Sequence, residues 1–264
     1  MIDVHTHLHP PRLAAAIRRW FSEHSTWKLE HPSEPPAVAE LLRANGVERF
    51  VFCSYAHRTG MAAGLNAWLV ATSRALRGYG LPLATIHPDD PEYCKDFDIA
   101  LADGCIGLKI HEDVQRVQIT DARFDPIFER LGGRGFVLAH VGPIPWRTEA
   151  EAPNRVERVL QRNPDLRLVV AHMGGENTAE YFALMARYPN LYLDTTMALA
   201  MDSPMRVTID PQEIETHAKR ILHGTDFPNI PYAYDGERRA LDAMGLTDRA
   251  REAILRENAL ELIG

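Results

Sequence analysis

MIDVHTHLHP, residues 1–10, reads as a short strand that runs into Pro10 and Pro11. Successive side chains of a strand point to opposite faces, so Asp3, His5 and His7 are expected on one side and Ile2, Val4 and Thr6 on the other. Two imidazoles two residues apart at a strand end suit one ion and leave its other positions to distant segments. The helical His-Glu-x-x-His spacing instead lays both rings along a groove. His-x-His alone also fits a polar strand end, so its meaning depends on partners elsewhere in the chain.

The rest of the chain alternates. Apolar strand-like runs recur at RFVFCSY (49–55), LPLATIHP (81–88), CIGLKIHE (105–112), GFVLAHVGP (135–143), LRLVVAHMGG (166–175), NLYLDTTMA (190–198) and RILHGTDFP (220–228). Between them lie helical patterns: PRLAAAIRRWFSEH (11–24), 37–45 closed by Gly46, 61–80, 90–103, 125–131, 154–163, 178–188 and 210–218, with helices from 236 onward. STWKLEHPSEPPA (25–37) is marked as a loop by its Pro and Ser. Strands apolar throughout are covered on both faces, and eight of them, each followed by helical sequence, predict an α/β fold, a (β/α)8 TIM barrel, as one domain over 1–264. A doubly wound open sheet is the competing arrangement. It would place a glycine-rich phosphate loop after the first strand, where this chain has none.

The 264 residues carry a net charge of −7, which argues against nucleic acid as a partner. No stretch approaches about 18 uninterrupted apolar residues, and the start has neither the basic nor the apolar run of a signal peptide, so a cytoplasmic protein without a membrane partner is expected. Cys53, Cys94 and Cys105 are odd in number and far apart and read as free thiols without assigned chemistry.

In such barrels the active site is built at the C-terminal ends of the strands. Falling there are His5 and His7 (strand 1), Lys109 and His111 (strand 4), His140 (strand 5), His172 (strand 6) and Asp226 (strand 8). Alternation places Phe136, Leu138 and His140 on one face, Leu168, Val170 and His172 on another, and Asp226 with Gly224 and Leu222, leaving His223 opposite as a structural residue. One strand-end histidine is commonly structural; imidazoles and a carboxylate at five strand ends point to a divalent transition metal. His57, Arg58 and Arg116 fall on loops after strands 2 and 4, where a cation can hold a substrate carboxylate or simply be solvated. His87 reads equally as site wall or structure, and Trp27 and Trp146 as a lid or core cover.

DVHTHLHP, GLKIH, AHVGP, AHMGG, ILHGTDFP and the closing NALELIG together resemble the amidohydrolase-related (amidohydrolase 2) branch of the metal-dependent amidohydrolase superfamily, which includes aminocarboxymuconate semialdehyde decarboxylase. The resemblance spans nearly the whole chain. It implies that His5, His7, His140 and Asp226 ligate one divalent ion, zinc first with manganese, iron or cobalt as alternatives, and that His172 and Asp226 act on the water beside it. In two-metal relatives a carboxylated strand 4 lysine bridges both ions; Lys109 sits on that strand. Otherwise Lys109 and His111, with His57 and Arg58, contact an anionic substrate.

The expected activity is metal-dependent hydrolysis of a small carbonyl or carboxyl compound. The alternative is a lyase, a non-oxidative decarboxylase or hydratase on the same scaffold. Val4-His5-Thr6-His7 disfavours decarboxylases that open with Glu-x-His, but the semialdehyde decarboxylase shares His-x-His. A binding module keeping its ion for structure and a metal-dependent nuclease are the readings from other classes. The first would need no open coordination position, and the second sits poorly with the acidic charge.

Overall fold

The apolar runs form eight parallel strands: β1 (Ile2–His7), β2 (Arg49–Cys53), β3 (Gly80–Pro82), β4 (Gly107–His111), β5 (Phe136–His140), β6 (Leu168–Val170), β7 (Leu191–Asp194) and β8 (Ile221–Leu222). The computed structural model describes residues 1–142 and 150–264. Regular pairing gives one sheet in the order β1-β2-β3 and another running from β4 to β8. Backbone bonds join them at both seams. The Lys109 amide donates to the Ala84 carbonyl at 2.8 Å, and the His7 amide donates to the Phe227 carbonyl at 2.7 Å. Single bridges at Ala84–Leu108 and Thr6–Phe227 mark the same two places. The result is a (β/α)8 barrel.

Around it lie α1 (Pro11–His24), α2 (Pro35–Ala44), α3 (Ala62–Ala75), α4 (Tyr93–Asp103), a single turn α5 (Glu112–Gln115), α6 (Asp125–Leu131), α7 (Ala152–Arg162), α8 (Thr178–Arg187), α9 (Pro211–His217), α10 (Gly236–Ala243), α11 (Asp248–Glu252) and α12 (Asn258–Ile263). None among the described residues is long and apolar enough to cross a membrane. Ile2, Val4, Val51, Leu83, Phe136, Leu138, Val169 and Leu222 fill the barrel, floored by Ala259 and Leu262 of α12. The alternate strand residues, among them Leu108, Ile110, Val137, Ala139, Leu191 and Leu193, pack outward with the helices. Strand alternation thus explains how one short apolar run serves two cores.

The structure corrects several expectations. The pairing of β1 with β2 steps from Asp3↔Phe50 to Thr6↔Phe52, three residues against two, a bulge that resets the alternation. Val4 and His5 both face inward, while Asp3 turns outward to accept hydrogen bonds from the Thr225 hydroxyl (2.7 Å) and the Tyr234 hydroxyl (3.1 Å). Asp3 therefore does not share the face of His5 and His7. On β6 the inward residue is Val169, and Leu168 and Val170 face the helices. His172 reaches the interior by a left-handed backbone (φ 60°), which carries no strand parity. The last run narrows to Ile221–Leu222 because the chain leaves extended geometry before Asp226, whose φ is 69°.

Leu138 is fully buried in the barrel interior. Leu138→Ala is expected to destabilise the protein by about 2–5 kcal/mol in urea denaturation; a loss no greater than that of Leu260→Ala on the outer surface would contradict this core assignment.

Candidate active site

A cavity of about 500 Å³ opens at the C-terminal mouth of the barrel, with His5, His7, Lys109, His111, His140, His172 and Asp226 at its polar end. Its wall is apolar. α1 contributes Leu13, Ile17, Trp20 and Phe21, joined by Trp27, Tyr55, Met197 and Met205. α1 buries only Ala14 fully, so its apolar stripe serves this wall rather than a core. His57 and Arg116 also line the cavity; Arg58 does not. His87 is buried outside it, its Nδ1 accepting from the Asp89 amide at 3.3 Å. Trp27 belongs to the wall, and Trp146 lies outside the described residues.

Asp226 Oδ1 lies 2.9 Å from His7 Nε2 and 3.2 Å from His5 Nε2. Lys109, a residue only 1% exposed, donates from Nζ to His5 Nε2 at 2.8 Å. Behind these rings sits Asp194, a residue that sequence reasoning misses. At the end of β7, it accepts from His5 Nδ1 at 2.9 Å through Oδ2 and from the His172 and Thr196 amides at 2.9 and 3.1 Å through Oδ1. Its signal is present in LYLD, a strand-end carboxylate two residues after inward Tyr192, but no neighbouring histidine draws attention to it.

Proton accounting fixes the tautomers of three rings. The Thr196 carbonyl, 3.0 Å from His172 Nδ1, only accepts, so Nδ1 carries the proton of that neutral ring. His172 Nε2 then accepts from His140 Nδ1 at 3.0 Å, which makes Nε2 the unprotonated nitrogen of His140. His111 stacks on His140 with centroids 4.1 Å apart and planes at 6°, and its Nδ1 accepts from the Val114 amide at the start of α5. Likewise Asp194, acceptor only, takes the Nδ1 proton of His5 and leaves Nε2 as the acceptor for Lys109 Nζ, with Asp226 Oδ1 3.2 Å away.

Burial and neighbouring charge set the protonation states. Burial, with Lys109 beside it, lowers His5 to about 4. Burial works against the ionised form of Asp226, but His7, His5 and His172 hold its carboxyl well below the usual range. Burial works against the charged form of His7, but Cys53 and Asp226 beside it outweigh burial and raise the ring to about 10, so that without an ion it is a cation at neutral pH. His172 is lowered, chiefly by burial. Neutral rings at His5 and His172, a His7 kept cationic by its neighbours and an ionised Asp226 therefore meet at the cavity floor, a donor set that fits a divalent transition ion once His7 gives up its Nε2 proton to it. A second set, His5, His7 and Cys53, has one donor atom each within 4.8 Å. It would engage the fully buried Cys53 away from the cavity, whereas the side chain of Asp226 is 16% exposed and lines it.

A family model described as amidohydrolase matches residues 2–264. No curated protein matches the chain in sequence. Among solved structures, an uncharacterised TIM-barrel protein from Bordetella bronchiseptica is 22% identical, with 99% of this chain and 98% of that one covered and a TM-score of 0.75. 5-Carboxyvanillate decarboxylase from Novosphingobium aromaticivorans, complexed with manganese and 4-hydroxy-3-methoxy-5-nitrobenzoic acid, is 16% identical over 99% and 96% of the two chains, TM-score 0.69. A probable 2-pyrone-4,6-dicarboxylic acid hydrolase from Acinetobacter baumannii with citric acid bound is 11% identical over 100% and 98%, TM-score 0.69. At these identities the likeness is one of fold.

Asp194 is held at about 2 against a usual 3.8: burial raises it, but His5 and His172 more than offset that. A depressed carboxylate stabilises the fold above its unfolded pKa and loses that contribution as pH falls toward the folded one. Between pH 4 and 2 the ion-free wild type is thus expected to lose more stability than Asp194→Asn. The same variant is expected to weaken zinc binding about 10–100-fold in chelator competition, because His5 loses the partner that orients it. Unchanged affinity would remove Asp194 from the site.

Proposed function

This chain belongs to the amidohydrolase family, and from that premise we propose that it is a metal-dependent hydrolase acting on a small carbonyl or carboxyl compound. One observation carries the reading: the Nε2 atoms of His5 and His7 meet the Asp226 carboxylate within 3.2 Å at the floor of an open cavity. His5, His7, His140 and Asp226 would hold one divalent ion, zinc by the donor chemistry, with manganese, iron and cobalt fitting the same nitrogen and oxygen set. The bond between His140 and His172 engages the nitrogens a second ion would need and favours one ion. When bound, the ion supplies Lewis acidity toward a carbonyl and makes water acidic near neutral pH.

The chain's own residues do the rest. Asp226, ionised at neutral pH, accepts a proton at its carboxylate as water adds to the substrate carbonyl. His172, held at Nδ1 by Thr196, presents a neutral ring whose Nε2 accepts from His140 and keeps that ring oriented beside the water, and the proton taken up by Asp226 passes to the leaving group. Arg116, His57 and His111 offer positive charge or hydrogen bonds to a carboxylate, and Trp20, Phe21 and Trp27 cover an apolar body and exclude water. Lys109 bonds to His5 and borders the same polar end, placed to meet an anionic group. A net charge of −7 supports a small molecule rather than a nucleic acid as the substrate.

A lyase is the second reading, favoured by the apolar wall: a carboxylate desolvated there loses carbon dioxide more readily than in water. The zinc-loaded protein, offered a panel of lactones, amides and unsaturated carboxylic acids, is expected to release acid without carbon dioxide; evolution of carbon dioxide would replace the hydrolase by the lyase. His172→Ala should lower turnover about 10²–10⁴-fold while metal content survives. Loss of the metal instead would place His172 among the ligands.

A further inference from the structure

Cys53 ends β2 with no exposed surface, and its Sγ lies 3.4 Å from both His7 Nδ1 and the Thr6 carbonyl oxygen. We propose that Cys53 is a positioning residue for His7: its S–H donates to Thr6 O while its sulfur accepts the Nδ1–H of His7, so that Nε2 is the nitrogen offered to an ion. The inference rests on the metal reading above.

Proton bookkeeping leads there. A neutral imidazole carries one N–H. If the ion is to bind at Nε2, on the side of Asp226, that proton must sit on Nδ1, and Nδ1 needs an acceptor. Cys53 Sγ is the side-chain atom at that edge. The opposite assignment, S–H donating to Nδ1, would protonate Nε2 and remove it as a ligand. The Thr6 carbonyl gives the thiol proton another destination and so selects the first arrangement. The pattern repeats around the site: Asp194 stands behind His5, the Thr196 carbonyl behind His172, and Cys53 behind His7. Sulfur is the softest acceptor of the three, but it is buried, where a missing partner is costly.

Cys53 itself is excluded as a ligand to the same ion by its place at the opposite ring nitrogen from Asp226 and its absence from the cavity wall. That separates orientation of His7 from direct coordination.

Cys53→Val keeps the size and removes the acceptor, Cys53→Ser keeps an acceptor, and Cys53→Ala removes it with little steric demand. Zinc affinity, read by competition with a chelator at constant pH, is expected to fall about 10–100-fold in Cys53→Val and to be largely retained in Cys53→Ser. If Cys53→Val does not fold, Cys53→Ala against Cys53→Ser gives the same comparison, with melting temperatures of the ion-free proteins separating packing loss from lost orientation. Equal affinity in wild type, Cys53→Ser and the acceptor-free variant overturns the proposal. So does a thiolate-to-metal charge-transfer band in the cobalt-loaded wild type, which would make Cys53 a ligand. A wild type that takes up no ion contradicts the metal reading and this proposal with it, whereas equal affinities contradict this proposal alone.

Discussion

A carboxylate with no exposed surface, Asp194, is the constraint on which the candidate site depends. One of its oxygens accepts from His5 Nδ1 and the other from the amides of His172 and Thr196, so it ties β1 to the turns after β6 and β7. A buried charge is tolerated only when its hydrogen bonds are supplied, and here they come from the groups the site must orient. The orientation then passes on: Thr196, held by Asp194, offers its carbonyl to His172, which in turn accepts from His140. The orientation of these rings is thereby tied to the packing of β1 against the turns after β6 and β7.

The backbone bears a cost for this. His172, Met173, Met197 and Asp226 all have positive φ without being glycine, each a conformation costing on the order of 1–3 kcal/mol. Three of the four line the cavity. The left-handed turn after β6 swings His172 inward, and Asp226 turns over the rings of His5 and His7. Gly224 allows that approach, since a Cβ there would stand 2.4 Å from Thr196 Oγ1 and 3.0 Å from His5 Cβ. The ring of hydrogen bonds and the packed interior of Val4, Leu138 and Val169 hold the strained turns in place.

How far the sequence can be read depends on where strand geometry is regular. On β5, alternation from Phe136 and Leu138 to His140 survives, because the strand stays extended to its last residue. Asp226 lines the cavity, but it gets there through a left-handed turn beyond the two-residue β8 rather than by strand alternation. At β1 the bulge breaks the alternation and sends Asp3 away, and at β6 His172 arrives by a turn that parity cannot describe. Bulges and left-handed turns are set by what the neighbouring strands demand, so a local pattern does not announce them. The same reason hides Asp194, Cys53 and the cavity wall on α1. Each looks ordinary until the partner strand or loop is placed beside it. On the loop after β2, His57 lines the cavity while its neighbour Arg58 does not, although the two look equally apt in sequence.

His5, His7 and His140 are expected to hold one ion only in concert with Asp226. Elemental analysis of purified wild-type and Asp226→Ala proteins, after dialysis against a moderate chelator and return of one divalent metal at a time, tests it most directly. About one ion per chain is expected in the wild type, by the single open site of a mononuclear centre, and none retained by Asp226→Ala. Two ions in the wild type, or a variant that keeps its metal and turns over, would contradict it.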